Sequence, residues 1–450
     1  MLAEALNRTT LLMRTELRED VAEPMLVDAL AGLTVVISAD SSVVETASGR
    51  TAVITAALLM ARSGHRVWID CPDASMTEPQ PPLAQTRLHD ALRRAGADLL
   101  PDRTIEIGSP AEPVHFAVVF GKGQASAGTD VLYIGASDWS ASLSADSPRD
   151  WTAAAQPFGA MAAGALAASE AFKVVMRGLA PFARSRQAYD RMFAAATEAV
   201  IDLTPAAARP APDVGVFDLI SGGAIANAAL FALLRTPGIL GRCRVIDNDE
   251  SALSNLNRNA LLLRSGVGRA KVEDLARYGH SLEIQPVVER YREGQFLGAV
   301  VLLGVDDIPS RWAAQRQRPD WLGVGATAGF AVQISSHDAT TPCVGCLHPV
   351  AGDTDGPIPT VAFVSFWAGL LLAVRLLFRQ EDRILVGDQT WFSPLRPEGW
   401  SYAKMGLSAH ADCPVGCDVL NCGVPTEPLT ALSSGPGLKS TTHGSVGRHG

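Results

Sequence analysis

The chain has 450 residues, is 47% apolar and carries a net charge of −9, with acidic and basic residues intermixed along it. At about 100–200 residues per domain, this length predicts two or three domains with full cores. The lack of a basic stripe or arm excludes extensive nucleic-acid binding, the charged N-terminus does not read as a signal peptide, and seven cysteines are too few for a disulfide scaffold.

Residues 1–30 read as an amphipathic helical lead-in. "LTVVISAD" then reads as a strand, "TAVITAALLMARSG" as a helix closing at Gly64, and "HRVWID" as a second strand ending on Asp70. A helix at "LAQTRLHDALRRAG", strands near "TIEIG", "HFAVVFG" and "DVLYIG", and the long helix "FGAMAAGALAASEAFKVVMRG" complete a unit over 31–182. Such alternation predicts a parallel sheet with helices on its faces. Residues 183–212, ending in a Pro- and Ala-rich run from Thr204, read as a linker. After it the grammar restarts. "VGVFDLI" is a strand, "GGAIANAALFALL" a helix and "CRVID" a strand; "KVEDLARYG" is a helix, "SLEIQPVV" and "GAVVLLGV" are strands, and "TVAFVSFWAGLLLAVRLLF" is a long helix. The repeated layout predicts an internal duplication: an α/β protein with two Rossmann-like, doubly wound domains in tandem, the second over 213–422. Residues 356–374 carry no charge and are just long enough to span a membrane. Two prolines at the start and Arg375 directly after favour a buried helix, and no membrane partner is expected. The Gly-, Ser-, Thr- and Pro-rich stretch 423–450 reads as a disordered tail.

The turn "SGGAIAN" (221–227) joins a strand to a helix, where glycines let a backbone approach phosphate and the helix N-terminus offers free N–H groups. Gly222 and Gly223 are present, but Ser221 and Ala226 stand where outer glycines are expected. After the second strand comes "DNDESALSNLNRN" (247–259). Asp247 and Asp249 are both placed to bind a ribose hydroxyl. The asparagines that follow suit a base or phosphate, and Arg258 with Lys271 suits phosphate: arginine grips its oxygens bidentately and lysine acts as a point charge. This combination predicts a triphosphate site. A nicotinamide-dependent oxidoreductase is the competing class, permitted by the acidic residue but opposed by the poor glycine loop and the two cations. Cys343-x-x-Cys346 and Cys413-x-x-x-Cys417 have the spacing of a closed, structural tetrahedral zinc site, with Cys422 an alternative to Cys417.

The block "DNDESALSNLNRN", the hop "GVGRAK" to Lys271 and "VDDIPSR" with Asp306 and Arg311 together resemble the ThiF/MoeB and ubiquitin-activating-enzyme superfamily of adenylyltransferases, over roughly 213–422. The resemblance implies that Asp249 binds ribose, that Asn255 and Asn257 contact nucleotide, and that Arg258 and Lys271 are the phosphate cations. It implies Asp306 as the magnesium-associated aspartate. Asn259 departs from the usual Gln, and Asp307 from the usual Asn, adding negative charge near the metal. An arginine from the lead-in of a partner domain is also implied; Arg8 is in a comparable position, and Arg14 is the alternative. Relatives carry two cysteine pairs flanking the same long helix. Many have an acceptor cysteine in the loop after the first pair, but here "HPVAGDTDGPIPT" has none. Thr354 or Thr360, with Asp353 or Asp355 as base, or Cys422, are the remaining acceptors, and direct release of the adenylate is the other outcome. The first unit, with Asp70 in the place of Asp247 but neither "SNLNR" nor its Lys, resembles the inactive half of two-part activating enzymes.

The resemblance therefore implies a cytoplasmic enzyme using ATP and Mg²⁺, its two halves packed as a pseudo-dimer, its C-terminal half stabilised by Zn²⁺. It would adenylate the C-terminus of a ubiquitin-like or sulfur-carrier protein, in a bacterial ubiquitin-like pathway with a conjugating enzyme as a further partner. The whole chain could also form a homodimer. Another carboxylate or a peptide C-terminus is the alternative substrate.

Overall fold

A computed structural model describes residues 1–123, 130–204, 210–352, 356–379, 388–400 and 405–417. The acceptor candidates Thr354 and Cys422, the acids Asp353 and Asp355, and the tail from 423 onward lie outside them.

Two helices lead in: α1 (Leu2–Glu16) and α2 (Glu23–Gly32). The first unit then runs β1 (Thr34–Ala39), α3 (Ser41–Val44), α4 (Ala47–Arg62), β2 (Arg66–Asp70), α5 (Leu88–Ala97), β3 (Ile105–Ile107), β4 (Phe116–Phe120), β5 (Asp130–Ala136), β6 (Ser140–Ser144), α6 (Phe158–Gly178), α7 (Arg186–Met192) and β7 (Glu198–Asp202). The second runs β8 (Asp213–Ile220), α8 (Ala224–Leu233), β9 (Leu240–Ile246), α9 (Lys271–Ala276), β10 (Leu282–Val287), β11 (Val300–Leu303), α10 (Ile308–Arg316), β12 (Trp321–Ala328), β13 (Ala331–His337), α11 (Val344–Leu347), α12 (Ala362–Phe378), β14 (Asp388–Phe392) and β15 (Met405–Gly406).

Both sheets are mixed. The first has the order β3-β2-β1-β4-β5-β6-β7 and the second β10-β9-β8-β11-β12-β13-β14-β15. In each, five parallel strands continue into an antiparallel meander. The meander is what the sequence reading missed. Residues 183–212, read as a linker, hold α7 and β7, and β7 pairs with β6 as the outer strand of the first sheet. Its alternating exposed and buried residues mark one covered face.

In each unit the helix just before the second strand, α4 or α8, packs tightly against the long apolar one. A Cβ on Gly164 of α6 would lie 2.7 Å from the Cβ of Thr55 on α4, and one on Gly369 of α12 would lie 2.4 Å from that of Ala228 on α8. Glycine is required at both crossings because any side chain would push the helices apart. The long helices then meet each other, with Phe172 and Phe363 ring centroids 5.4 Å apart and Phe172 and Phe330 5.8 Å apart, so one continuous apolar core joins the units. Among the described residues only α6 is long and apolar enough to cross a membrane, and it is almost wholly buried in this core; α12, over the charge-free stretch, has 17 residues and is fully buried too.

Candidate functional site

The carboxyl ends of β8, β9 and β11 open on a cavity of about 640 Å³. At its floor, the turn from β8 to α8 passes through Ser221, whose φ of 98° is a conformation that favours glycine. Its Oγ accepts from Gly223 N at 2.9 Å, and the Asn227 amide braces the turn by donating to the carbonyls of Gly222 and Gly223, both at 2.9 Å. No side chain caps α8, so its first turn, at Gly223 and Ala224, meets the cavity directly. Gly222 serves differently. A Cβ there would fall 2.9 Å from Lys271 Cβ, so its bareness lets the lysine-bearing segment close over the turn.

That segment is returned by backbone pairing. Lys271 N donates to Asp249 O at 2.9 Å and Ser251 N to Arg269 O at 2.8 Å, which brings Lys271 beside residues some twenty positions earlier. Lys271 Nζ lies 2.6 Å from Asp249 Oδ2. Asp247, the other acidic candidate, has its carboxylate occupied by the backbone: Oδ2 accepts from Gly222 N at 2.7 Å and Oδ1 from Asp249 N at 2.8 Å.

The asparagine-rich bend divides its side chains between the cavity and the core. Asn255, Arg258 and Asn259 line the cavity, and the Asn255 Oδ1 also accepts from Ala252 N at 2.8 Å. Asn257 does not reach the cavity. It is fully buried, donating to Thr9 Oγ1 and accepting from Arg258 Nη1, both at 2.9 Å. Its amide joins α1 to the cavity's arginine, a placement that residue type and spacing leave open.

Across from the bend, α1 brings Arg8 to the cavity wall, its carbonyl accepting from Thr360 N at 3.2 Å; Arg14 is exposed on the last turn of α1 and lines no part of it. The buried Nε and Nη1 of Arg8 have no hydrogen-bond partner among the described residues. Burial lowers the Arg8 pKa, and nearby Asp306 counteracts this. Arg258 is pushed down to about 10 by burial first and then by the Arg8 charge, with Asp306 opposing. Asp306 makes no hydrogen bond among the described residues, although four cations surround it. Its carboxylate opens to the cavity, and so to water, while protein crowds its other sides. That crowding raises its pKa above the ordinary carboxylate value, against the pull of Arg311, Arg258, Arg8 and Lys271.

Asp307 caps α10 by accepting from Ser310 N at 2.8 Å, so its extra charge has a structural use. Arg311 turns inward to the Val305 carbonyl, and its Nη1 lies 3.1 Å from His348 Nε2. Thr360 is buried with its hydroxyl 2.9 Å from that of Ser365, and no described carboxylate activates it. Sequence reasoning missed Arg290 and Tyr291, which line the cavity just beyond β10; their signal was position past the carboxyl end of the third strand, where α/β sheets open their crevices.

The four cysteine sulfurs of Cys343, Cys346, Cys413 and Cys417 all lie within 4.8 Å of one another. Facing pairs are 3.3 and 3.2 Å apart, close to the roughly 3.8 Å edge of a tetrahedron with metal–sulfur bonds of about 2.3 Å. The cluster could hold a metal such as zinc.

A family model described as the BilD N-terminal domain matches residues 34–192, from the first residue of β1 to the last of α7. The uncharacterized protein y4jF of Sinorhizobium fredii is 26% identical over 282 residues, covering 58% of this chain and 52% of its own; the chain thus spans about half the length of that curated relative. Among solved structures, E. coli MccB with AMPCPP and MccA is 15% identical with a TM-score of 0.38, covering 45% of this chain and 66% of MccB. PaaA is 15% identical with a TM-score of 0.32, covering 43% and 64%. Likeness at this level identifies no activity.

Proposed function

We propose that this chain is an ATP-dependent adenylating enzyme acting on the C-terminal carboxylate of a ubiquitin-like or sulfur-carrier protein. The observation that carries the reading is the charge pattern of one cavity: an arginine with two buried nitrogens that have no partner among the described residues, beside Arg258, Lys271 and a carboxylate that takes no hydrogen bond from any described residue. Buried donors without acceptors are costly, and an anion relieves them. A triphosphate supplies the oxygens, and the uncapped start of α8 adds free N–H groups.

In the reaction, a carboxylate oxygen of the substrate attacks the α-phosphorus of ATP. A carbonyl–oxygen–phosphorus linkage forms, the bond from the α-phosphorus to the bridging oxygen breaks, and pyrophosphate leaves with that electron pair. Two anions must meet, so the protein's work is neutralisation and alignment. Arg258, Lys271 and Arg8 would hold phosphate oxygens, and Asp249 would take the ribose, which requires it to share or release Lys271. Asp306 has free oxygens facing the cavity and fits a magnesium ion, which when bound would balance charge on the departing pyrophosphate. Asn257 would act by fixing Arg258 rather than by touching nucleotide.

The same reading makes the cysteine cluster a structural zinc site, with four thiolates and no open position. It makes the two units a pseudo-dimer in which the lead-in 1–30 supplies Arg8 and the first unit supports the second without chemistry of its own. A cytoplasmic ubiquitin-like conjugation pathway suits that division. ATP–pyrophosphate exchange with and without small carrier proteins tests the proposal. Exchange that rises with a carrier is the expected result; NAD binding with no exchange would assign the cavity to an oxidoreductase instead.

A further inference from the structure

Arg62 is the last residue of α4, in the first unit, yet its guanidinium lies against the second. It is fully buried. Nη1 donates to Leu256 O at 2.6 Å, and Nη2 to Ala260 O at 3.0 Å and Leu262 O at 2.7 Å. No carboxylate pairs with it among the described residues, and burial lowers its pKa to about 9, with Tyr278 pulling weakly the other way. A buried cation without an anion is unfavourable unless dipoles replace the lost water. Here three carbonyls of one loop do so, and that loop is the asparagine-rich bend that turns Asn255, Arg258 and Asn259 into the cavity. Other contacts from the same side reinforce it. Asp98 of the first unit accepts from Ser265 N at 3.0 Å and Ser265 Oγ at 2.6 Å, just beyond the bend.

A counterpart runs in the opposite direction. Arg235, just past the end of α8, reaches back into the first unit, donating from Nε to Gln80 Oε1 at 2.8 Å and from Nη2 to Pro81 O at 2.6 Å. Thus α4 ends in, and α8 is closely followed by, a buried arginine that grips the other unit. The segments gripped differ: Arg62 holds the bend beside the large cavity, whereas Gln80 and Pro81 line neither that cavity nor the smaller one of the first unit.

We infer that Arg62 is a positioning residue for the nucleotide site: through it the first unit holds the asparagine-rich bend in the shape that aims Arg258 at the ligand. This rests on the reading of the cavity as an ATP site. Without the guanidinium, the carbonyls of Leu256, Ala260 and Leu262 lose their shared donor, and the bend relaxes to find water.

The test compares Arg62→Met with Arg235→Met in the full chain, with folding checked by circular dichroism. Both remove a buried interface cation, so both should lower the melting temperature. Only Arg62→Met should raise the KM for ATP in pyrophosphate exchange, by about tenfold, and speed amide hydrogen exchange over residues 254–262. Arg235→Met should leave that KM within about twofold. Arg62→Lys, which keeps the charge and reaches fewer carbonyls, should fall between, and it decides the matter if the methionine variant does not fold. The inference is overturned if the Arg62 variant that folds keeps the wild-type KM and amide protection of the bend, or if Arg235→Met raises KM as much. Absence of ATP binding by the wild-type chain would instead overturn the reading of the cavity, and amide exchange over the bend would still report whether Arg62 holds it.

Discussion

The turn after the first strand is built differently in the two halves. In the first, α3 is inserted between β1 and α4; Asp40 caps it by accepting from Val43 N at 3.2 Å, and Thr46 caps α4 by accepting from Gly49 N at 2.9 Å. A Cβ on Gly49 would fall 1.9 Å from Val43 O, so α3 presses onto the helix start where a phosphate would have to sit. The nearby cation, Arg50, is paired with Glu78 and donates to the carbonyls of Val44 and Glu45, beside a cavity of only about 310 Å³. In the second half the turn is short and α8 is uncapped, and Arg8, brought in by α1, has two buried nitrogens with no partner among the described residues. The same strand order therefore supports a sealed turn or an open one. What separates them is whether the local polar groups satisfy each other or wait for something else.

The largest expected effect tests that contrast directly. Arg258→Ala or Asp306→Ala should lower ATP–pyrophosphate exchange by about 10²–10³-fold with the fold retained, since each removes preorganised charge from the site. Arg8→Ala should cost about tenfold. Arg50→Ala should do the opposite: exchange unchanged, and stability reduced by about 1–3 kcal/mol in denaturant unfolding, because the carbonyls of Val44 and Glu45 and the half-buried Glu78 lose their donor. Exchange that survives Arg258→Ala, or disappears with Arg50→Ala, would reverse the roles assigned to the halves. Stripping metal from the cysteine cluster with a strong chelator should destabilise the second half by several kcal/mol while limited proteolysis leaves the first resistant. Metal analysis finding no zinc in the purified chain would end that part of the proposal.

Each half also buries a histidine through which acid should weaken it. His65 in the first and His337 in the second are fully buried, and each has its pKa lowered to about 4, mainly by burial. Bonds from Nδ1 to the carbonyls of Leu30 and Pro342 offset this only in part. Unfolded histidine titrates near 6.5. As pH falls below that value the unfolded chain takes up protons the native one refuses, so stability is full above about pH 6.5 and declines down to about pH 4, by up to about 3 kcal/mol per histidine. Urea unfolding across that range measures the slope, and His65→Leu should flatten it. His65 is the cleaner probe, because acid also strips thiolate-bound metal from the second half.

How much of this could be read in advance follows from what each signal encodes. Strand-helix alternation and the restart near residue 213 gave two α/β units, since hydrophobic periodicity reports the covered face of each element. That the bend, Lys271 and Asp306 come to one cavity was legible through the resemblance of their motifs to a known family pattern. Direction was not. Nothing in "SNLNR" says that Asn257 faces α1 while Asn255 faces the cavity, and nothing in "DND" says that the backbone occupies Asp247. The edge strand β7 was hidden beside a Pro- and Ala-rich run that dominated the reading of 183–212. Arg62 carried no signal: at a helix end it resembles any cation placed against the dipole, and its three acceptors are backbone atoms almost two hundred residues away.

The smallest expected effect concerns the open turn itself. Ser221 holds a φ of 98°, which costs a residue with a Cβ about 1 kcal/mol, and its hydroxyl accepts from Gly223 N at 2.9 Å, which returns a comparable amount. Ser221→Gly removes both, so stability should move by less than about 1 kcal/mol and the melting temperature by only a few degrees. The substitution also releases the Gly223 N–H, and an anion at the start of α8 should bind no more weakly than before. A stability loss of several kcal/mol, or a clear rise in the KM for ATP, would mean that the serine hydroxyl itself meets the ligand, and the open turn would then be recognising something by side chain where backbone alone has been assumed.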